Sequence, residues 1–182
     1  MSQPAQSVPN NNEPQYQSDS CDAILDTAKT VYAEEQTRFI QYENKTNIGL
    51  AFGGVILVAY LTYLGTNKLP IHDTGYLIYS ILLRFSVLTS FTVGIIYFLR
   101  AIKSGDYEQI NLSNIVDLDF AQDPVATVKL ELAATYKTAI DGNKTILDKK
   151  TKYYDIGLTS VTIGFLIFVI YFVIEEVIKH VK

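Results

Sequence analysis

Three apolar runs decide what this chain can fold into. Residues 48–64 and 156–174 carry no charge, and residues 76–99 carry one, Arg84. A run of about 17–25 apolar residues is long enough, as an α-helix, to cross a hydrocarbon core of about 30 Å. Lipid cannot satisfy backbone amides, so each run must be helical where it crosses. A soluble protein of 182 residues has little use for three such runs, and the positive mean hydropathy agrees. The expectation is an all-α integral membrane protein with three transmembrane helices over about 48–64, 85–102 and 156–174.

The segments before the first and third runs are helical in another way. Ile24, Leu25, Ala28, Val31, Tyr32, Phe39 and Tyr42 recur at helical spacing, with Glu34, Glu35, Arg38 and Glu43 mostly opposite. Val125, Val128, Leu132, Tyr136, Ala139 and Ile140 mark a second apolar face. These are amphipathic helices in water. No breaker separates the first from its span, so one helix is expected from about 21 to 65, closed by Gly65 and Pro70. Asp123 and Pro124 start the last helix, and Gly142-Asn143 is its expected weak point. The two extramembrane helices, about 21–47 and 124–155, need cover for their apolar faces. Residues 1–20, rich in Pro, Asn, Gln and Ser, read as a disordered tail with no signal-peptide pattern. Residues 21–182 read as a single membrane domain.

Arg84 is the costly residue. A mid-membrane arginine costs about 2.5–3.5 kcal/mol on insertion scales. Either the span holds Arg84 in its outer third, or a helix that begins near Thr74 enters hydrocarbon only at Phe85 and lets Arg84 snorkel to the interface, which is easier energetically. Glu175 and Glu176 are expected at the same membrane face, where an ion pair with Arg84 and a pore-lining role stand beside simple snorkelling as readings. Basic residues set the orientation. Arg38, Lys45, Arg100, Lys103, Lys144, Lys149, Lys150 and Lys152 flank the spans on one side, against Lys68, Lys179 and Lys182 on the other. The basic side is expected to be cytoplasmic, which puts the N-terminus inside and the C-terminus outside the cell membrane. The tyrosines at the span ends fit an interfacial belt.

No catalytic, cofactor-binding or metal site is expected. There is no G-x-S-x-G, H-E-x-x-H or phosphate loop. His72 and His180 stand alone, and Asp117, Asp119 and Asp123 lack the glycine and closing glutamate of a calcium loop. Cys21 is the sole cysteine, so no intrachain disulfide exists. A net charge of −4 argues against nucleic acid. The residues singled out are small ones at close spacing: Gly49 and Gly53; Ser86, Ser90 and Gly94; Gly157 and Gly164. Small residues let helices approach closely within lipid, either inside one bundle or between subunits.

The stretches QYENKTNIGLAFGGVILVAYLTYL, LLRFSVLTSFTVGIIYFLRAIKSGDY and NKTILDKKTKYYDIGLTSVTIGFLIFVI, about residues 36–174, resemble small bacterial membrane proteins of the SLATT and Pycsar transmembrane-effector type. That resemblance implies paired membrane helices with long cytoplasmic extensions. It also implies a role in nucleotide-signal antiviral defence, in which copies assemble and breach the inner membrane. The separate nucleotide-binding domain of some such effectors is absent from this sequence. Expected partners are the lipid bilayer and further copies of the chain. The alternative is a membrane-anchored scaffold whose helical extensions dock a soluble cytoplasmic protein.

Overall fold

The computed structural model describes residues 16–67, 74–110 and 122–181. These form three helices: α1 Ser18–Thr66, α2 Thr74–Lys103 and α3 Val125–Val181. All three are long and apolar enough to cross a membrane. The expected breakpoint at Pro70, and residues 1–15 of the expected tail, lie outside the described residues.

The helix ends follow local chemistry. α1 starts at Ser18, where the Gln17 carbonyl accepts the Cys21 amide at 3.1 Å, so the last three residues of the expected tail are helical. Gly65 does not close it: Gly65 stays helical, and the described residue with positive φ is Gly105. The closing group is Asn67, whose backbone and side-chain nitrogens both donate to the Tyr63 carbonyl, at 3.0 and 3.1 Å. α2 begins at Thr74 and ends with Ser104 donating to the Ala101 carbonyl at 2.9 Å. Gly105 then turns the chain at φ 129°, a conformation open to glycine and strained for other residues. α3 starts on the Pro124 carbonyl, which accepts from Thr127 and Val128. It runs through Gly142-Asn143 without interruption.

Packing follows one rule in all three helices. The residues turned inward on α1 are 21, 25, 28, 32, 35, 39, 42, 46, 49, 53, 56, 60 and 63, every one buried or half-buried. On α2 they are 80, 84, 87, 91, 94, 98 and 101, and on α3 they run 133, 136, 140, 143, 147, 150, 154, 157, 161, 164, 168, 171 and 175. The steps alternate three and four, a 3.5-residue period. That is the repeat that keeps one seam facing its neighbours in left-handed helix packing. The seam passes from the amphipathic segments into the apolar ones without a change of phase, although its chemistry changes.

Two compact units result. One comprises Met1–Ala33 with Gln109–Ile140. Its two helices bury Cys21, Leu25, Ala133 and Ala139. Tyr32 meets Tyr136 edge-on at 5.4 Å, and Lys129 pairs with Asp22 at 2.6 Å. The other comprises Glu34–Glu108 with Asp141–Lys182 and is built on Tyr60, Val87, Phe91, Phe98 and Val161. Its outer surface is apolar: Phe52, Val55, Val58, Leu82, Phe85, Leu166, Ile170 and Val173 are all exposed. In the most apolar 18-residue stretches of the three helices, only 11%, 22% and 22% of residues are buried within the chain. So much uncovered apolar surface needs a non-aqueous solvent. We conclude that this is a membrane protein.

Candidate functional site

The polar residues on the seam form three layers. The first lies at the ends of the spans and contains Arg84. Its Nε donates to the Tyr171 hydroxyl at 2.9 Å, and its guanidinium carbon lies 5.8 Å from that ring's centroid. Tyr171 also hydrogen-bonds the Glu175 carboxylate, together with Tyr76 and Ser80, the last donating to Oε1 at 3.4 Å. The Tyr60 hydroxyl donates to the Arg84 carbonyl at 2.7 Å, which ties in α1. Arg84 and Glu175 are thus linked through Tyr171, which accepts from the cation and hydrogen-bonds the anion. Glu175 is 6% exposed and lies within α3. Glu176 is half-buried, and its carbonyl is 2.8 Å from His180 Nδ1.

The second layer is centred on Lys150, 2% exposed. Its Nζ donates to Glu43 Oε1 at 3.1 Å and to the Ile102 carbonyl at 3.4 Å, and sits 4.6 Å from the Phe39 ring centroid. A cation beside the last carbonyls of α2 is favourably placed against that helix's dipole. One side chain thereby joins all three helices. The third layer is Asn143. Its amide accepts from the Glu108 backbone N–H at 2.6 Å and donates to the Glu108 carbonyl at 3.0 Å. That reciprocal pair clips the irregular segment after α2 onto α3, and Phe39 packs edge-on against Tyr107 beside it.

The small residues sit at close helix crossings. A Cβ on Gly94 would lie 2.5 Å from Val161 Cγ2 and 3.0 Å from the Gly157 carbonyl oxygen. One on Gly157 would meet Phe98 at 2.9 Å and the Gly94 carbonyl at 3.1 Å; one on Gly164 would meet Ser90 and Phe91; one on Gly49 would meet Phe98. Gly53 has ordinary contact distances to Val161 and Ile95. Ser90 donates to the Ser160 carbonyl at 3.0 Å. These residues fit α1, α2 and α3 of one chain against each other. Ser86 differs. It is exposed, with Thr89 and Thr92 on the same outer flank of α2. Ser86 and Thr92 bond their own helix's carbonyls at Leu82 and Leu88.

The unit that contains Cys21 carries an open apolar trough of about 620 Å³. Ile24, Thr27 and Val31 of α1 and Leu130, Ala134 and Lys137 of α3 line it. Among the described residues, no group of three or more His, Cys, Asp and Glu side chains is placed to hold a metal ion. His72, Asp117 and Asp119 lie outside the described residues. Sequence reasoning gave Glu43, Asn143 and Lys150 other roles and did not single out Tyr171. The seam period would have found all but Glu43, since it places Asn143, Lys150 and Tyr171 inward on α3.

Comparison with protein-family models, with curated proteins and with solved structures finds no match to this chain.

Proposed function

We propose that this chain is a non-enzymatic membrane-disrupting effector of the bacterial inner membrane, with N-terminus inside and C-terminus outside, whose copies assemble to breach the bilayer. The observation that carries the reading is the outer flank of α2. Ser86, Thr89 and Thr92 place three hydroxyls on a surface that is exposed in the single chain, within a segment that reads as membrane-spanning. Ser86 and Thr92 return their hydrogen bonds to their own helix in the single chain, so lipid tolerates them, and a water path between assembled copies would give all three hydroxyls a polar surface to line. The layout resemblance to SLATT and Pycsar-type effectors points the same way and supplies the antiviral context. The glycines support it indirectly, since tight packing within one chain leaves this outer flank as the surface that can change partners.

A scaffold that docks a soluble cytoplasmic partner is the second reading, favoured by the apolar trough. Membrane potential after induced expression in bacteria separates the two. The effector reading expects rapid depolarisation by wild type, lost in the triple variant Ser86→Leu, Thr89→Leu, Thr92→Leu at equal membrane levels. Depolarisation by neither protein would give the reading up in favour of the scaffold.

A further inference from the structure

We infer that the cavity beside Lys150 holds the headgroup of one phospholipid, of the class that carries a phosphodiester anion and a primary ammonium together. The inference needs the chain to lie in a membrane and stands whether or not the effector reading does.

The cavity has a volume of about 200 Å³ and is bounded by Glu43, Thr46 and Asn47 of α1, Ala101 and Ile102 of α2 and Lys150 of α3. Its walls fix its height in the bilayer. Asn47 directly precedes the apolar run 48–64, and Ile102 is the last residue of the expected second span. Lys150 Nζ lies 3.4 Å from the Ile102 carbonyl, so the cation stands at the level where both spans end. Lipid headgroups occupy that level. Ile48 and Ile102 are 69% and 39% exposed, so the polar cavity borders apolar surface that suits the start of an acyl chain.

The polar groups answer two charges. The Lys150 side chain is 3% exposed, so its ammonium has given up almost all of its hydration. Its three N–H groups have two oxygen acceptors, Glu43 Oε1 at 3.1 Å and the Ile102 carbonyl, with the Phe39 ring centroid 4.6 Å from Nζ. A buried cation is stabilised by every further acceptor it gains, and a phosphate oxygen is a strong one. Glu43 stands on the rim, 43% exposed, and its second carboxylate oxygen has no hydrogen bond among the described residues. Asn47, also exposed, adds a carboxamide oxygen. A primary ammonium can donate to both. Lys150 and Glu43 carry no net charge between them. A headgroup with an anion alone would meet the carboxylate, and a quaternary ammonium has no N–H to donate. A phosphate joined to a primary ammonium satisfies both residues at once.

The test uses the full chain, delipidated in detergent, with bound lipid counted by native mass spectrometry. The probes are dioctanoyl phosphatidylethanolamine, phosphatidylcholine and phosphatidylglycerol, with free phosphoethanolamine as the headgroup without its lipid. One saturable phosphatidylethanolamine is expected, held about fivefold tighter than either other lipid, the scale of one net hydrogen bond. Phosphoethanolamine at the same concentration should not displace it. Glu43→Gln keeps the side-chain shape and removes the anion, and is expected to move the preference to phosphatidylglycerol. Lys150→Met is expected to erase the preference; Asn47→Leu, at an exposed position, should weaken phosphatidylethanolamine alone and serves if Lys150→Met does not fold. Equal binding of the three lipids, unchanged in Glu43→Gln, would overturn the inference and leave an unselective lipid shell. So would a chain that binds none of them saturably. Displacement by phosphoethanolamine as effective as by the lipid would overturn the lipid source and give the cavity to a soluble phosphate.

Discussion

Replacing Gly94 by alanine adds one methyl group at the tightest α2–α3 crossing, and the structure says what that methyl meets. Val161 Cγ2 would be 2.5 Å away, the Gly157 carbonyl oxygen 3.0 Å and the Val161 backbone nitrogen 3.3 Å. The valine methyl can rotate away. The other two atoms are backbone, so the helices must separate. Separation loosens Phe98 and Phe91, both fully buried. Overpacking of this kind costs about 1–3 kcal/mol. Gly54 is the internal control. A Cβ there has nothing within 4 Å, and alanine gains up to about 1 kcal/mol of helix propensity over glycine in water. For a chain of this size, about 2–4 °C of melting temperature corresponds to 1 kcal/mol. Thermal unfolding in detergent, followed by loss of the monodisperse peak, should show Gly94→Ala lowered by about 2–12 °C and Gly54→Ala unchanged or raised. Two variants with the same melting temperature would refute the packing argument.

Tyr60→Phe removes the hydroxyl bonded to the Arg84 carbonyl. Hydrogen bonds inside membranes average about 0.6 kcal/mol and reach about 1.7, so the same unfolding assay should show a small loss and unchanged helicity. Asn143→Ala removes both of these bonds to the Glu108 backbone; Glu108 is exposed and water takes up the freed groups, so the loss is about 0.5–1.5 kcal/mol per bond, and hydrogen exchange at Glu108 should speed up while α3 stays protected. Lys150→Met leaves Glu43 without its cation, but Glu43 is 43% exposed and water takes up much of the loss. The single variant should destabilise by about 1–2 kcal/mol, and adding Glu43→Gln should restore part of it. An additive double variant would deny the coupling.

Much of this architecture was legible in the sequence because hydropathy is a long, coarse signal. The three apolar runs, the continuous α1, the start of α2 at Thr74 and the proline-led start of α3 all follow from residue type. What the sequence reading lost lies where one residue's neighbour decides its role. Gly65 carries the composition of a helix stop, yet Asn67 supplies the closing hydrogen bonds. Glu175 follows a long apolar run, where composition places it at the membrane face but does not say which way it turns. The seam carries it inward to Tyr171, Tyr76 and Ser80. Lys150 sits in a basic cluster that reads as solvated, and only the three-four spacing from Leu147 and Tyr154 turns it to the core. Apolar pattern alone misses these positions, because polar residues occupy them. The small residues show a different limit. Spacing places Gly94 and Ser86 near one another on α2, but eight positions of drift turn Gly94 against α3 and leave Ser86 outside.

The central claim is that assembled copies open the bilayer, and purified protein in sealed vesicles tests it without a cellular trigger. Release of an entrapped dye is measured at rising protein-to-lipid ratio, with incorporation checked by flotation. The account predicts release that climbs more steeply than protein density and disappears with Ser86→Leu, Thr89→Leu, Thr92→Leu. Vesicles that stay sealed at every density, with the chain fully inserted, would contradict it.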